Sequence, residues 1–254
     1  MTVTETSTAP RPALRWQTAE VLDIVTETPR VKTLLLKLPD FTKYLPGQHV
    51  DVRLTADDGY QAQRSYSIAS APEDKHVALT VERIEDGEVS PYFTDEVRAG
   101  DKFEMRGPIG RYFVWTVKLD GPLFLIGGGS GVVPLMAMLR HRAAHASDTP
   151  TKLLYSSRTQ SDIIYRDELD RLVARNDGLA VTHTLTREKP AGWIGHTGRV
   201  NSTMLAEAGF TAGRKPKIFI CGPTGFVEAA ANALLAFGHD RALIKTERFG
   251  PTGR

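Results

Sequence analysis

Within the stretch QRSYSIAS, residues 63–70, an arginine, a tyrosine and two serines alternate at single-residue spacing. Read as a strand over residues 59–69, this segment puts Tyr60, Ala62, Arg64, Tyr66 and Ile68 on one face. Gln61, Gln63, Ser65, Ser67 and Ala69 fall on the other. Arg64 is the misfit on its face. A half-buried guanidinium needs an anion, and one beside an aromatic plane suggests a ligand that is both flat and anionic.

A second group lies in GGGSGVVP, residues 127–134. Gly128, Gly129, Ser130 and Gly131 stand between an apolar strand pattern and a helical one. Glycines there let the backbone turn tightly and approach a phosphate, and the helix N-terminus favours negative charge. The spacing departs from G-x-G-x-x-G, because Gly129 and Gly131 are followed by Pro134. Where an acidic ribose ligand would end the next strand, the chain has Tyr155-Ser156-Ser157-Arg158. Hydroxyl plus guanidinium suits a 2′-phosphate, hence NADP rather than NAD; a solvated surface arginine is the other reading. A later strand ends in CGPTG, again before a helix. Ligands of open parallel sheets bind beyond the carboxyl ends of the strands, so Gly129, Ser157 and Cys221 should line one crevice. Cys221 reads equally as a small buried hydrophobe.

The elements that must hold these groups differ between the halves. WQTAEVLDIV, VKTLLLKL, GQHVDVRL, YQAQRSYSIAS, VALTVERI and DKFEMRG read as short strands separated by Gly, Pro and Asp turns. They predict a closed antiparallel barrel. SPYFTDEVRAG predicts a short helix with Ser90 as N-cap, Pro91 first and Gly100 as its stop. The second half alternates: PLFLIGG, TKLLYSS, LAVTHTL and KIFICG as strands, with helical patterns after each, which predicts βαβ units and a parallel sheet. The expected organisation is an N-terminal tail over residues 1–15, a barrel domain over 16–118 and an α/β domain over 119–254.

Composition narrows the class. With 254 residues, 41% hydrophobic, 24% charged and a net charge of +2, the chain reads as an ordinary globular protein. It has no basic run for nucleic acid or an anionic membrane, and glycines and a proline break its longest apolar stretch, so no membrane span is expected. One cysteine excludes an internal disulfide, and a four-cysteine iron–sulfur cluster, within this sequence. The start, MTVTETSTAPRPALR, reads as a disordered tail rather than a signal peptide, and the expected location is cytoplasmic. Of seven histidines only His141 and His145 have ligand-like spacing. Lacking the Glu of H-E-x-x-H, they read as a solvated helix face, and no metal is expected.

Arg64-Ser65-Tyr66-Ser67, then GGGSGVVP, then CGPTG, on a barrel followed by a Rossmann-like half, resemble the ferredoxin–NADP reductase superfamily of two-domain flavoprotein reductases. The resemblance covers roughly residues 16–250. It implies that Arg64 binds a flavin phosphate, Tyr66 packs on the isoalloxazine ring, and Ser67 sits near the flavin N5; Ser65 lies within that motif. Strict alternation puts Ser67 opposite Tyr66, so its contact requires the strand to twist or end there. Gly87-Glu88-Val89-Ser90 resembles the family's second flavin segment, suited to a pyrophosphate and hence to FAD over FMN, with Glu88 pointing outward. Val81 and Arg83 precede it, and Arg83 supplies either a second positive charge or a surface residue.

The same resemblance puts the dinucleotide pyrophosphate on the glycine loop, with Ser130 near the nicotinamide, and implies NADPH over NADH from Ser157 and Arg158. Tyr165-Arg166 follows in the reverse of the family order. Cys221, Gly222 and Pro223 would face the nicotinamide. The closing KTERFG would bring Glu247 to the reacting centre and Phe249 over the flavin, although the chain continues with PTGR; a core aromatic at a strand end and a solvated Glu are the other readings. Ser67, Cys221 and Glu247 are thus the catalytic candidates for hydride transfer from NADPH to FAD. Electrons would pass to a separate protein: a ferredoxin, a haem or molybdenum protein, or an oxygenase component. A free-standing flavin or quinone reductase and a non-catalytic flavin-binding subunit are the alternatives.

Overall fold

The computed structural model of the chain describes residues 14–39 and 43–250. The expected tail lies outside the described residues, except at Leu14 and Arg15. All six strands predicted for the first half form: β1 (Gln17–Thr28), β2 (Val31–Lys37), β3 (His49–Thr55), β4 (Gln61–Ser67), β5 (Val77–Glu82) and β6 (Lys102–Ile109). They make one sheet in the order β4-β3-β6-β1-β2-β5, with every neighbour antiparallel. Its two edges meet. Ile68, just past β4, bridges Leu79 of β5, and Ala69 N–H donates to the Ala78 carbonyl at 2.8 Å. Joined edges close the sheet into the expected barrel, around Leu34, Leu36, Val50, Val52, Leu79 and Met105.

The helix expected from Ser90 to Gly100 is shorter. It closes through a wide π-type turn at Tyr92–Glu96, and the chain leaves it at Val97. Ser90 does not cap it. The Ser90 hydroxyl instead accepts the Ile84 N–H at 3.0 Å, which ties the loop after β5 to the helix start. Gly100, with φ +95°, belongs to the following turn.

The second half forms β7 (Leu123–Gly128), α1 (Val132–Ala144), β8 (Thr151–Ser157), α2 (Arg166–Val173), β9 (Leu179–Leu185), β10 (His196–Thr197), α3 (Ser202–Ala208), β11 (Lys217–Pro223), α4 (Thr224–Ala236) and β12 (Ile244–Phe249). The sheet is parallel, ordered β10-β9-β8-β7-β11-β12. Every residue of β7 is buried, as an apolar run covered on both faces requires. Pro134 is accommodated in the first turn of α1, where its missing N–H costs no helical bond. Asn201 caps α3, its Oδ1 accepting the Met204 N–H at 3.0 Å. Asn201→Ala should therefore lower unfolding stability by ~1 kcal/mol in a denaturant melt, the usual cost of a lost N-cap.

The two halves share a core. Val31, Ala69 and Ala78 of the barrel pack with Phe113, Trp115 and the α1–α2 face of the parallel sheet. Polar ties reinforce this contact. Arg140 of α1 donates to the Ala69 carbonyl at 2.7 Å and pairs with Glu168 of α2. The Tyr165 hydroxyl donates to Thr80 of β5.

His141 corrects the reading of a solvated helix face. It is 6% exposed, because α1 lies against the barrel, and its Nδ1 stands 3.0 Å from both carboxylate oxygens of Glu73. Val117 N–H donates to His141 Nε2 at 3.4 Å. That contact fixes the tautomer, so Nδ1–H donates to Glu73. The pairing is an interdomain hydrogen bond, with His145 stacked outside it at 4.4 Å between ring centroids.

Candidate functional site

Strand order reverses at β7, with β8 on one side and β11 on the other, and the crevice outside their carboxyl ends is where open α/β sheets take ligands. β7 runs into a tight turn at Gly129–Gly131 and then into α1. Glycine is required at Gly131, since a Cβ there would lie 2.1 Å from the Cys221 carbonyl oxygen and 2.5 Å from its carbon. Gly129, at φ +56°, takes a left-handed conformation that glycine adopts without strain. The turn thus nests against the β11 backbone and brings the start of α1, with the positive end of its dipole, to the crevice.

A cleft of about 210 Å³ opens there, and it collects Gly128, Gly129, Ser130, Ser157, Arg158, Pro223 and Phe249 of the predicted set. Ser157 is buried at the end of β8, while Arg158 just beyond it is exposed. Cys221, expected in the same crevice, does not line it: with Gly131 and Gly222 it is buried in the packed layer behind, where the turn closes on the β11 backbone. The Cys221 thiol is 2% exposed, and burial pushes its pKa up, with the neighbouring Glu247 adding to the effect.

Arg166 is not in this cleft. It lines a separate cavity of about 820 Å³ together with Glu27, Asp74 and Arg140. Tyr165, in the left-handed conformation at φ 61°, buries its own ring and turns the chain, so Arg166 emerges exposed beside Asp167.

β12 pairs with β11 in the register Cys221↔Glu247 and Pro223↔Phe249, while Cys221 is opposite Gly127 on β7. Glu247 therefore sits beside the thiol, one strand out from the switch point. Its Oε2 is buried with no hydrogen-bond partner among the described residues, and burial raises its pKa to about 7. Phe249, at the strand end, is 37% exposed and faces the cleft.

On the barrel, β4 carries Arg64, Ser65, Tyr66 and Ser67 and ends at Ser67, as the expected contact of that hydroxyl requires. Tyr66 is half-buried and held edge-on by Phe93, with centroids 6.0 Å apart. Ser65 donates to Asp51 at 2.7 Å on the opposite face. Arg64 keeps half of its side chain from solvent, as expected, but the anion beside it is a carboxylate of this chain. Its side chain is 50% exposed and forms a close ion pair with Glu88, which also accepts the Tyr60 hydroxyl. Glu88 is exposed but turns along the surface towards β4, because Arg64 and Tyr60 hold it there.

Gly87 gives its N–H to the Ile84 carbonyl at 3.0 Å. Val81 and Val89 are core residues, and Ser90 is buried. Arg83 is neutralised by Asp95 at 2.8 Å and by Glu85 in a close pair.

Several cleft residues escaped the sequence reading, among them Thr28, Arg30 and Val31 from the barrel. They lie at the end of β1, in the turn after it and at the start of β2, in no motif. Only the packing of the barrel on the parallel sheet brings them to the glycine loop.

Comparison with known proteins matches residues 18–114 to the family described as oxidoreductase FAD-binding domain and residues 125–232 to oxidoreductase NAD-binding domain. A glycine betaine monooxygenase reductase subunit of Pseudomonas aeruginosa is 31% identical over 90% of this chain. The chain spans 63% of that relative's length. NADH-cytochrome b5 reductase 1 of Aspergillus terreus is 31% identical over 77% of this chain and 68% of its own. Among solved structures, the flavohem-like FAD/NAD binding domain of nitric oxide dioxygenase from Vibrio cholerae O1 biovar El Tor superposes with a TM-score of 0.83 at 27% identity. That match covers 92% of this chain and 99% of that one.

Proposed function

This chain belongs to the ferredoxin–NADP reductase superfamily of FAD- and NAD-binding oxidoreductases, and from that premise we propose that it takes hydride from NADPH, or NADH, onto FAD and passes electrons to a separate redox protein. The observation that carries this reading is the convergence of the glycine loop, Ser157, Arg158 and Phe249 on one cleft bordered by the flavin-type barrel. The residues suit both cofactors. Without a Cβ at Gly131 the loop is cradled on β11, and its helix start is ready for a pyrophosphate. Tyr66, fixed by Phe93 and partly open, offers a platform for a flat ring beside Arg64.

A bound flavin supplies the two-electron chemistry, accepting hydride and releasing electrons singly or as a pair. The chain supplies the rest. Arg64 holds the flavin phosphate after exchanging Glu88 for it, Tyr66 supports the ring, and Ser67 offers a hydroxyl at the strand end. Gly87, Val89 and Ser90 hold the loop along the flavin's phosphate end. Gly128, Gly129 and Ser130 take the dinucleotide pyrophosphate, with Gly131, Cys221 and Gly222 packed behind them and Pro223 on the cleft wall. Glu247 holds a proton near the reacting atoms, and Phe249 covers the approach to the ring. The acceptor is a protein, by analogy with the reductase subunits it resembles: an oxygenase component, a haem protein or a ferredoxin. A lone cysteine suits a reducing, cytoplasmic setting.

The Arg64–Glu88 pair gives a second reading some support. A flavin phosphate that must displace a carboxylate is held less tightly, as in a reductase that uses flavin as an exchangeable substrate. Purification with flavin retained favours the first reading, and loss of flavin on dialysis favours the second.

Anaerobic titration of the FAD-loaded protein tests both against a non-catalytic role. NADPH should bleach the flavin, and failure with both NADPH and NADH refutes the reductase reading. For Arg158→Ala, the NADPH KM should rise ~10-fold or more with little change for NADH, the usual effect of removing a charged hydrogen bond to phosphate. A higher affinity of the wild type for NADH would overturn the 2′-phosphate assignment.

A further inference from the structure

The cleft that holds the glycine loop has a wall from the barrel, and Arg30 is the cationic member of that wall. The turn between β1 and β2 fixes it. Arg30 N–H donates to Thr28 Oγ1 at 3.2 Å, its carbonyl accepts the Arg83 N–H at 2.8 Å, and Nη2 donates to the Arg83 carbonyl at 3.0 Å. One end of the guanidinium is therefore anchored.

The rest of the group is under-used. Nε is buried without an acceptor among the described residues, and Glu85, 3.4 Å from Nη2, is an exposed carboxylate that Arg83 also holds. A guanidinium carries five N–H donors, and unmet donors at a cleft wall favour an incoming anion.

Across the cleft stand Ser157 and Arg158, and the Arg158 side chain makes no ion pair or hydrogen bond among the described residues. Two carboxylates share the lining, Glu82 and Asp162. Asp162 is turned inward as a cap, accepting the Thr159 N–H at 3.1 Å and the Thr159 hydroxyl at 2.6 Å. Guanidinium groups on two walls and a glycine turn on the third are a setting for phosphate, which accepts forked donors from several directions at once.

We propose that Arg30 binds a phosphate of the nicotinamide dinucleotide from the barrel side, so that the nucleotide bridges the two domains. The inference rests on the reading of this cleft as the dinucleotide site. It makes nucleotide affinity depend on the docking of the barrel against the parallel sheet, because Arg30 and the glycine loop belong to different domains.

Binding of ADP and 2′,5′-ADP to the FAD-loaded protein, measured by calorimetry on wild type, Arg30→Ala and Arg30→Lys, tests it without turnover. Arg30→Ala should weaken binding ~10-fold or more, with Arg30→Lys restoring part, and FAD affinity should not change. Weakening confined to 2′,5′-ADP assigns Arg30 to the 2′-phosphate; equal weakening for both assigns it to the diphosphate. Unchanged affinity for both ligands, or loss of FAD rather than of nucleotide, overturns the proposal. A wild type that binds these ligands but fails to reduce flavin would overturn the reductase reading instead, leaving the Arg30 comparison to stand or fall on its own.

Discussion

Gly131→Ala should abolish reduction by either nicotinamide dinucleotide while the barrel still folds and binds flavin. The added Cβ would lie 2.1 Å from the Cys221 oxygen, 2.5 Å from the Cys221 carbon and 2.8 Å from the Gly222 nitrogen. All three are backbone atoms, so no side-chain rotation relieves the contact. Either the β7–α1 turn or the end of β11 must move by ~1 Å, and a misplacement of that size at a reacting centre can cost ~100-fold in rate. The displaced parts are the start of α1 and the register Cys221↔Gly127, which together position the cleft.

Gly129→Ala makes the contrast. There the nearest atom to a new Cβ is Glu82 Oε2 at 4.0 Å, so only the left-handed backbone at φ +56° is penalised, by ~1 kcal/mol. Thermal melts with kcat/KM for NADPH and NADH separate the two variants. A Gly131→Ala protein with wild-type melting temperature and KM would refute this account of the loop.

Alternation explains why the barrel strands were legible: Leu34, Leu36, Val50 and Val52 each face one core, and the pattern survives in the sequence. β7 was legible for a different reason, being apolar at every position that needed cover. β12 was not read as a full strand. It is the sheet's edge, buried at Ile244, half-buried over residues 245–247 and exposed at Arg248 and Phe249, so neither alternation nor a continuous apolar run marks it. The two residues of β10 are too few for any periodicity.

Site residues divide in the same way. Gly131 and Ser157 could be placed because Ser157 ends a strand and Gly131 comes just after one, and strand ends of a parallel sheet converge. Arg166 follows a loop whose course depends on the left-handed Tyr165, and local pattern does not encode that turn. Glu88 and Arg64 are 24 positions apart. Their pairing depends on where the loop after β5 crosses β4, and so does the exposure of Arg64. Glu73 reaches His141 by the same kind of tertiary accident of position, 68 positions away. What was legible, then, was whatever the backbone period or a strand end fixes locally.

Glu247→Gln should stabilise the protein above neutral pH and leave it little changed in acid. Burial raises the Glu247 carboxyl from 4.5 to about 7, and among the described residues its Oε2 has no partner to hold an ionised form. Between those values the folded protein keeps a proton that the unfolded chain has released. Stability consequently falls as pH rises through this window and stays reduced above it. At 1.36 kcal/mol per unit the full cost is ~3 kcal/mol, an order of magnitude that the neutral amide would recover.

Urea melts of both proteins near pH 5 and pH 8 check the sign: a difference that opens at the higher pH is expected, and an equal difference at both would sink the assignment. A carboxyl that titrates near neutrality one strand out from the switch point can release or accept a proton during turnover, which a solvated glutamate would not do at that pH. The wild-type kcat profile should therefore bend near pH 7 and the Glu247→Gln profile should not. The stability lost by leaving Glu247 without a partner would then be the counterpart of its proton-holding role beside Cys221 and the cleft.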